Sequence, residues 1–215
     1  MRVCFVGNSL THCNHLSLMV RAIAAAHGQT MAITALTPGG QTFEGHCATK
    51  GDIATLRGGA WDAVVLQEQS QRPVDEPEPF LHFGAELTKH TGSARLICYQ
   101  TWAPVHRPEL WVGLANAYDE LASRICAEVA PAGQAWQALL TDWPEAPLYV
   151  EDGLHPEILG SWLAAVVITH TLCAADPEQA PAQLSDGELL LCNLDEAQAA
   201  RARSAACAAI AARRS

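Results

Sequence analysis

Short apolar segments alternate with longer helix-like stretches along most of this chain. No other feature constrains the fold as much. The strand-like segments are Arg2–Val6, Met31–Leu36, Ala63–Leu66 and Arg95–Tyr99, with a weaker one at Gly133–Trp136. Such brief, near-continuous apolar runs are the mark of strands buried on both faces. Helical patterning occupies about His15–His27, Asp52–Leu56, Pro79–His90 and Glu109–Glu128. A later helix is expected to begin at Pro156, because proline suits the first helical position. The alternation predicts an α/β fold, a parallel five-stranded sheet with helices on both faces.

With 215 residues, 49% of them hydrophobic, the chain suits one globular domain over 1–215 with a full core. Its longest apolar run, Ile158–Ala175, approaches the ~20 residues of a membrane span. Gly160, Ser161, Thr169, His170 and Thr171 interrupt it and no basic anchors flank it, so a buried helix is expected and no membrane span. Asp176–Gly187 is rich in Pro and Asp and reads as a surface loop. The Ala-rich segment of about 194–214 carries Asp195 and Glu196 at its start and Arg213 and Arg214 at its end. That suits a final helix packed on the domain. The first residues read as a core strand rather than a leader.

The formal net charge is −10, and no basic cluster exceeds a pair. An acidic surface repels phosphate backbones, so nucleic acid is not an expected partner. The eight cysteines are scattered without a Cys-x-x-Cys pair. They read as small core residues of a reducing compartment, which makes a cytoplasmic location the expectation. Nothing in the sequence sets an oligomeric state.

Sites in open α/β sheets lie beyond the carboxyl ends of the strands. There stand Gly7-Asn8-Ser9, then Thr37-Pro38-Gly39-Gly40-Gln41-Thr42, then Gln67-Glu68-Gln69-Ser70, then Gln100-Thr101-Trp102. Glu151-Asp152-Gly153-Leu154-His155-Pro156 follows the last strand-like segment. Ser9, between a strand and a helix, is either a helix cap or a nucleophile whose own amide sits at a helix N-terminus. Asp152-x-x-His155 can set a carboxylate against one imidazole nitrogen and free the other to take a hydroxyl proton. Gly39-Gly40 permits close backbone approach to a ligand or simply makes a turn. Glu68 either orients a loop or contacts a substrate hydroxyl, and Trp102 either stacks on a sugar ring or packs. His12-Cys13-Asn14-His15 has metal-ligand residue types. It lacks a complementary pair, so no metal is expected. Cys13 as nucleophile has no better base than Ser9.

Four blocks in this order resemble the SGNH (GDSL-like) hydrolases. Gly7-Asn8-Ser9-Leu10-Thr11 is similar to the nucleophile block, with Asn8 where Asp is usual. Gly39-Gly40-Gln41-Thr42 is similar to the block that gives a glycine amide. Asp152-Gly153-Leu154-His155-Pro156 is similar to the Asp-x-x-His block. Gln67-Glu68-Gln69-Ser70 stands where Gly-x-Asn-Asp is usual, so a glutamine must replace the asparagine donor. Counting from the strand end assigns that place to Gln69, and the Gln-Gly-Glu variant of sugar acetylesterases assigns it to Gln67, which is slightly favoured.

The resemblance implies a three-layer flavodoxin-like fold and ester hydrolysis without a cofactor. It shifts Ser9 from cap to nucleophile, with His155 as base and Asp152 as its orienting acid. It also implies an oxyanion hole of the Ser9 and Gly40 amides plus Gln67 or Gln69. The expected substrate is a small-molecule ester, a short acyl group on a carbohydrate-like alcohol, with Trp102 and Glu68 as substrate contacts. Lipid esters and thioesters are alternatives, as is a catalytically weak or inactive binding protein.

Overall fold

Five parallel strands form the central sheet of the computed structural model, which describes residues 1–213. They are β1 (Arg2–Val6), β2 (Ala32–Leu36), β3 (Ala63–Leu66), β4 (Arg95–Tyr99) and β5 (Glu128–Ala130). Their order across the sheet is β2-β1-β3-β4-β5, the flavodoxin-like arrangement. Every neighbouring pair is parallel. The order reverses between β1 and β3. The loops leaving those two strands diverge there and open a crevice at their carboxyl ends.

Alternation of side chains along the strands divides the core in two. Val3, Phe5, Val65, Ile97 and Tyr99 face one layer of helices, α2 (Leu16–Ala26), α8 (Ala132–Asp142), α9 (Ile158–Cys173) and α10 (Glu196–Ala212). Cys4, Val6, Val64, Leu66 and Cys98 face the other, built from α3 (Phe43–Ala48), α4 (Lys50–Gly58), α6 (Pro77–Thr88) and α7 (Leu110–Ile125). Two one-turn helices, α1 (Ser9–His12) and α5 (Arg72–Asp75), stand at the crevice itself. The three-layer α/β expectation therefore holds.

The apolar run of residues 158–175 is the buried helix α9. It packs against α2, α8, α10 and the sheet, so it needs no polar face. Among the described residues no helix is long and apolar enough to cross a membrane. The final helix α10 presses buried Ala199, Ala202, Ala205, Ala206 and Ala209 inward, and Asp195 caps it by accepting from the amides of Ala197 and Gln198. Arg214 lies outside the described residues.

Three expectations are corrected. Gly133–Trp136 is not a strand but the first turns of α8, where Ala132, Ala135, Trp136 and Leu139 form one buried helical face. Its Gly133 is there for close approach, since a Cβ would meet the Thr101 carbonyl oxygen at 2.0 Å. The fifth strand is instead Glu128–Ala130, which starts on the last residue of the stretch expected to be helical. Cys126 turns left-handed (φ 55°) and ends α7 three residues sooner than the pattern suggested. Second, α9 begins at Ile158, not Pro156. Pro156 bridges to Tyr149, and the extended Glu157 precedes the helix. Third, the region 176–187 is only partly a loop. Gln183–Asp186 (β6) pairs antiparallel with Leu189–Asn193 (β7).

Candidate active site

β1 ends at Val6 and the chain turns into α1 through Gly7 and Asn8. A Cβ on Gly7 would lie 2.6 Å from Gln67 Oε1 and 2.7 Å from Thr11 Oγ1, so only glycine lets these groups close on the turn. Asn8 takes the cap position, its Oδ1 accepting from the Leu10 amide at 3.2 Å. Ser9 is thus relieved of capping and is the first residue of the helix. Its Oγ lies 2.9 Å from His155 Nε2. His155 Nδ1 lies 2.6 Å from Asp152 Oδ2. The other carboxylate oxygen, Oδ1, accepts the backbone N–H groups of Leu154 (2.8 Å) and His155 (2.9 Å), which folds the loop around the acid. The His155 hydrogen bond, with those two amides, holds the Asp152 carboxyl at about 2, well below its usual range. An ionised acid fixes Nδ1–H and leaves Nε2 as acceptor for the serine proton. Cys13 fits that role poorly. Burial and the Asp152 charge both push its thiol up, away from the thiolate.

A cleft of about 310 Å³ opens over this series, lined by Asn8, Ser9, Leu10, Gly39, Gly40, Gln69, Ser70, Leu154 and His155. The amides of Ser9 and Gly40 donate to no protein acceptor among the described residues. Gly40 has φ +69° with open space around its Cβ position, so conformation and not crowding calls for glycine. The Asn8 side chain donates to the Gln41 carbonyl at 2.9 Å and ties this glycine loop to the serine turn. Gln69 lines the same cleft. Its Oε1 accepts from the amides of Gln71 and Arg72 (both 3.2 Å), and one hydrogen of Nε2 goes to Ser70 Oγ at 3.1 Å.

Three candidates do not reach the cleft. Gln67 is buried and fully engaged. Its Oε1 accepts from Asn8 N (3.1 Å) and Thr11 Oγ1 (2.8 Å), and its Nε2 donates to Asn8 Oδ1 (3.0 Å) and to the Glu68 carbonyl. Both hydrogens of its amide are used and it does not line the cleft, against the slight preference for Gln67, whereas Gln69 does line it. Glu68 is likewise buried, accepting the amides of Phe43 (3.1 Å) and Gln69 (2.6 Å) and so bracing the glycine loop against the Gln69 turn. Burial pushes its carboxyl up to about 7, against the pull of those two amides and the Arg72 guanidinium. Trp102 is not a rim platform. Its ring stacks on Trp136 at 3.7 Å, and its N–H donates to the Leu154 carbonyl at 3.0 Å, which steadies the His155 loop from beneath.

Two arrangements were not read from the sequence. Asn14 and His15 both adopt left-handed backbone (φ 54°), which costs about 1–2 kcal/mol per residue and least for asparagine. The kink aims Asn14 Nδ2 at the Pro156 carbonyl (2.8 Å) and Ser161 Oγ (2.9 Å), joining the serine segment to the histidine segment. A non-glycine Asn-His pair just past the nucleophile block is the only trace of it. The second is His46, fully buried on α3, with Nε2 2.8 Å from the Gly7 carbonyl oxygen and Nδ1 2.6 Å from Asp52 Oδ2. Among the described residues no group of three or more His, Cys, Asp and Glu is placed to hold a metal ion. A larger cleft, about 660 Å³, opens by Arg95, Glu128 and Arg213, beside the starts of β4 and β5. Its charges are already paired, Arg95 with Glu128 and Arg213 with Asp119.

No family model and no curated protein matches the chain. Solved structures do. A protein designated an SGNH hydrolase from Slackia heliotrinireducens is 29% identical with a TM-score of 0.67, covering 80% of this chain and 98% of that one. A DUF4886 family protein from Bacteroides uniformis is 18% identical with a TM-score of 0.78, covering 98% of this chain and 95% of that one. An acetylxylan esterase from Geobacillus stearothermophilus is 12% identical with a TM-score of 0.64, covering 80% and 94%. With the sheet order and the loops that converge at β1 and β3, these likenesses identify an SGNH-like hydrolase fold.

Proposed function

We propose that the protein is a serine esterase whose nucleophile is Ser9. The unbroken series Ser9 Oγ, His155 Nε2, His155 Nδ1 and Asp152 Oδ2 carries this reading, with its two spacings of 2.9 and 2.6 Å. The serine attacks the ester carbonyl as His155 removes its proton. The carbonyl π pair moves onto oxygen, and the oxyanion is received by the amides of Ser9 and Gly40 and the side-chain amide of Gln69. His155 then gives its proton to the leaving alkoxide as the C–O bond breaks. Water, deprotonated by the same imidazole, attacks the acyl-serine, and the imidazolium returns that proton to Ser9 Oγ as the acyl–oxygen bond breaks and the acid leaves. Asp152 keeps the required tautomer and stabilises the imidazolium. No cofactor enters this sequence of steps.

A cleft near 310 Å³ lies at the small end of ligand sites and suits a short acyl group with about one ring of alcohol rather than a long chain. Leu10 and Leu154 give the acyl side an apolar wall. A carbohydrate-like alcohol remains the favoured leaving group, supported by the fold likeness to an acetylxylan esterase. Trp102 contributes nothing to that choice.

Turnover of p-nitrophenyl acetate and butyrate, together with labelling by an organophosphonate ester, tests the proposal. Label should fall on Ser9, acetate should be the better substrate, and Ser9→Ala should abolish both signals. Labelling at Cys13, or undiminished turnover by the alanine variant, refutes it.

A further inference from the structure

The serine turn is held by a second histidine–aspartate pair, and it faces the opposite way. His46 lies on α3 and Asp52 on α4, both beneath the turn. A carbonyl oxygen can only accept, so the contact between His46 Nε2 and the Gly7 oxygen requires a hydrogen on Nε2. On the far side of the ring Asp52 Oδ2 lies 2.6 Å from Nδ1. The peptide unit that His46 grips is the one that launches the nucleophile. Its oxygen, on Gly7, is held by His46 and its N–H, on Asn8, by Gln67 Oε1 at 3.1 Å. A peptide plane held at both ends cannot rotate, and Ser9 follows it directly.

We infer that His46 and Asp52 are a positioning pair for Ser9, in which His46 must donate from Nε2 whereas His155 must accept there. The inference rests on Ser9 being the nucleophile. It predicts that one chemical change has opposite consequences at the two pairs. An asparagine at position 152 can donate its N–H to Nδ1, which puts the hydrogen on Nε2 of His155 and destroys the base. An asparagine at 52 does the same to His46, and there the hydrogen on Nε2 is the one that Gly7 needs. The carboxylate of Asp52 is therefore dispensable in a way that of Asp152 is not.

The experiment compares wild type, His46→Phe, His46→Gln, Asp52→Asn, Asp52→Leu and Asp152→Asn for kcat, KM and organophosphonate labelling rate, with thermal unfolding of each. His46→Phe fills the space without donating and should lower kcat and labelling by ~10-fold or more, with KM within about twofold, because misaimed groups lose rate before binding. His46→Gln, whose amide nitrogen can reach the same carbonyl, should recover most of that loss. Asp52→Asn should lose less than about tenfold, Asp52→Leu, which leaves Nδ1 without a partner, should lose more than Asp52→Asn, and Asp152→Asn should fall by ~10³ or more. If the phenylalanine variant does not fold, the Asp52→Asn and Asp152→Asn contrast still decides.

Nitrogen NMR of the histidine rings gives a readout independent of turnover. It should find a proton on His46 Nε2 in wild type and in Asp52→Asn. An unprotonated Nε2, equal losses in Asp52→Asn and Asp152→Asn, or full kcat in folded His46→Phe overturns the inference. Activity surviving in Ser9→Ala removes the esterase reading and the inference with it, and that result is read separately.

Discussion

Replacing Gln69 and the buried Gln67 in turn tests the proposed catalytic amide against a structural one. Gln69→Leu removes the Nε2 donor from the cleft. An oxyanion forms only on the way to the tetrahedral intermediate, so the loss falls on kcat, while KM changes little. One side-chain donor is worth ~2.7–4 kcal/mol there, so kcat should drop ~100- to 1,000-fold. The stability cost is small, because the Arg72 amide keeps its bond to the Gln69 carbonyl (3.2 Å) and only the Gln71 amide, just before a one-turn helix at the crevice, loses its acceptor. Gln69→Glu sharpens the test. It keeps Oε1 for those two amides, removes the donor and sets a negative charge where an oxyanion must form. It should therefore be at least as slow as the leucine variant and more stable. Gln67→Leu should do the reverse. It orphans the Asn8 amide, the Thr11 hydroxyl and the Glu68 carbonyl, all buried, while Asn8 Oδ1 keeps the Leu10 amide. Unsatisfied buried groups cost about 1–3 kcal/mol each, so even at the low end the loss is ~3 kcal/mol, or a Tm lower by ~6–12 °C. Steady-state kinetics on p-nitrophenyl acetate and a thermal melt of each variant suffice. If Gln69→Leu and Gln69→Glu both keep kcat within about threefold, Gln69 is not a donor and the hole consists of backbone amides.

Asp152→Asn should reduce kcat by ~10³ to 10⁴ without unfolding the protein, since the asparagine sets the wrong imidazole tautomer; stopped assays and circular dichroism read both. Because the folded Asp152 carboxyl is depressed to about 2, its contribution to stability is present above the unfolded value of ~3.9 and is lost as pH falls through 2. The difference in Tm between wild type and Asp152→Asn should therefore shrink only below about pH 4, and kcat/KM should show no Asp152 limb above that pH. Asn14→Asp removes both donors to Pro156 and Ser161, whereas Asn14→Gly also removes the side chain but relieves the left-handed backbone. Both should lower kcat by ~10-fold with the glycine variant melting higher, and full activity in Asn14→Asp would show that the clamp does not aim His155.

The parallel α/β layering was legible because short apolar runs alternating with helical patterns are local signals. Ser9 stands three residues past β1, and Asp152 and His155 share one short loop beyond α8; the resemblance of their blocks, in chain order, and not spacing, set them at one rim. What failed depended on partners far away in the chain. Trp102 looks like a rim aromatic until Trp136, distant in sequence, stacks beneath it. Gln67 and Gln69 have the same parity after β3, so a period of two cannot separate them. The missing Cβ of Gly7 decides, by admitting Gln67 to the serine turn. The fifth strand is three residues long, too short to show a period, and its first residue continues the helical pattern before it. His46 and Asp52 meet across two short helices whose angle no one-dimensional spacing encodes.

Glutamine in place of asparagine raises a physical difficulty, and the turn after β3 answers it. Its extra methylene adds a rotatable bond, and a donor that must be ordered during the reaction loses part of its worth. Here the amide is ordered beforehand. The N–H groups of Gln71 and Arg72 converge on Oε1, and Ser70 Oγ takes one hydrogen of Nε2, so that the second hydrogen has a fixed direction. Glu68 fixes the backbone below, through the amides of both Gln69 and Phe43, and thereby sets the glutamine turn against the loop that carries Gly40. A longer side chain with both ends of its amide engaged can be as preorganised as a shorter one. Ser70→Ala, which frees one of those ends, should lower kcat by a few-fold while leaving KM and Tm nearly unchanged, a smaller echo of the loss in Gln69→Leu. Were Ser70→Ala instead as slow as Gln69→Leu, the serine hydroxyl and not the glutamine amide would be the third donor.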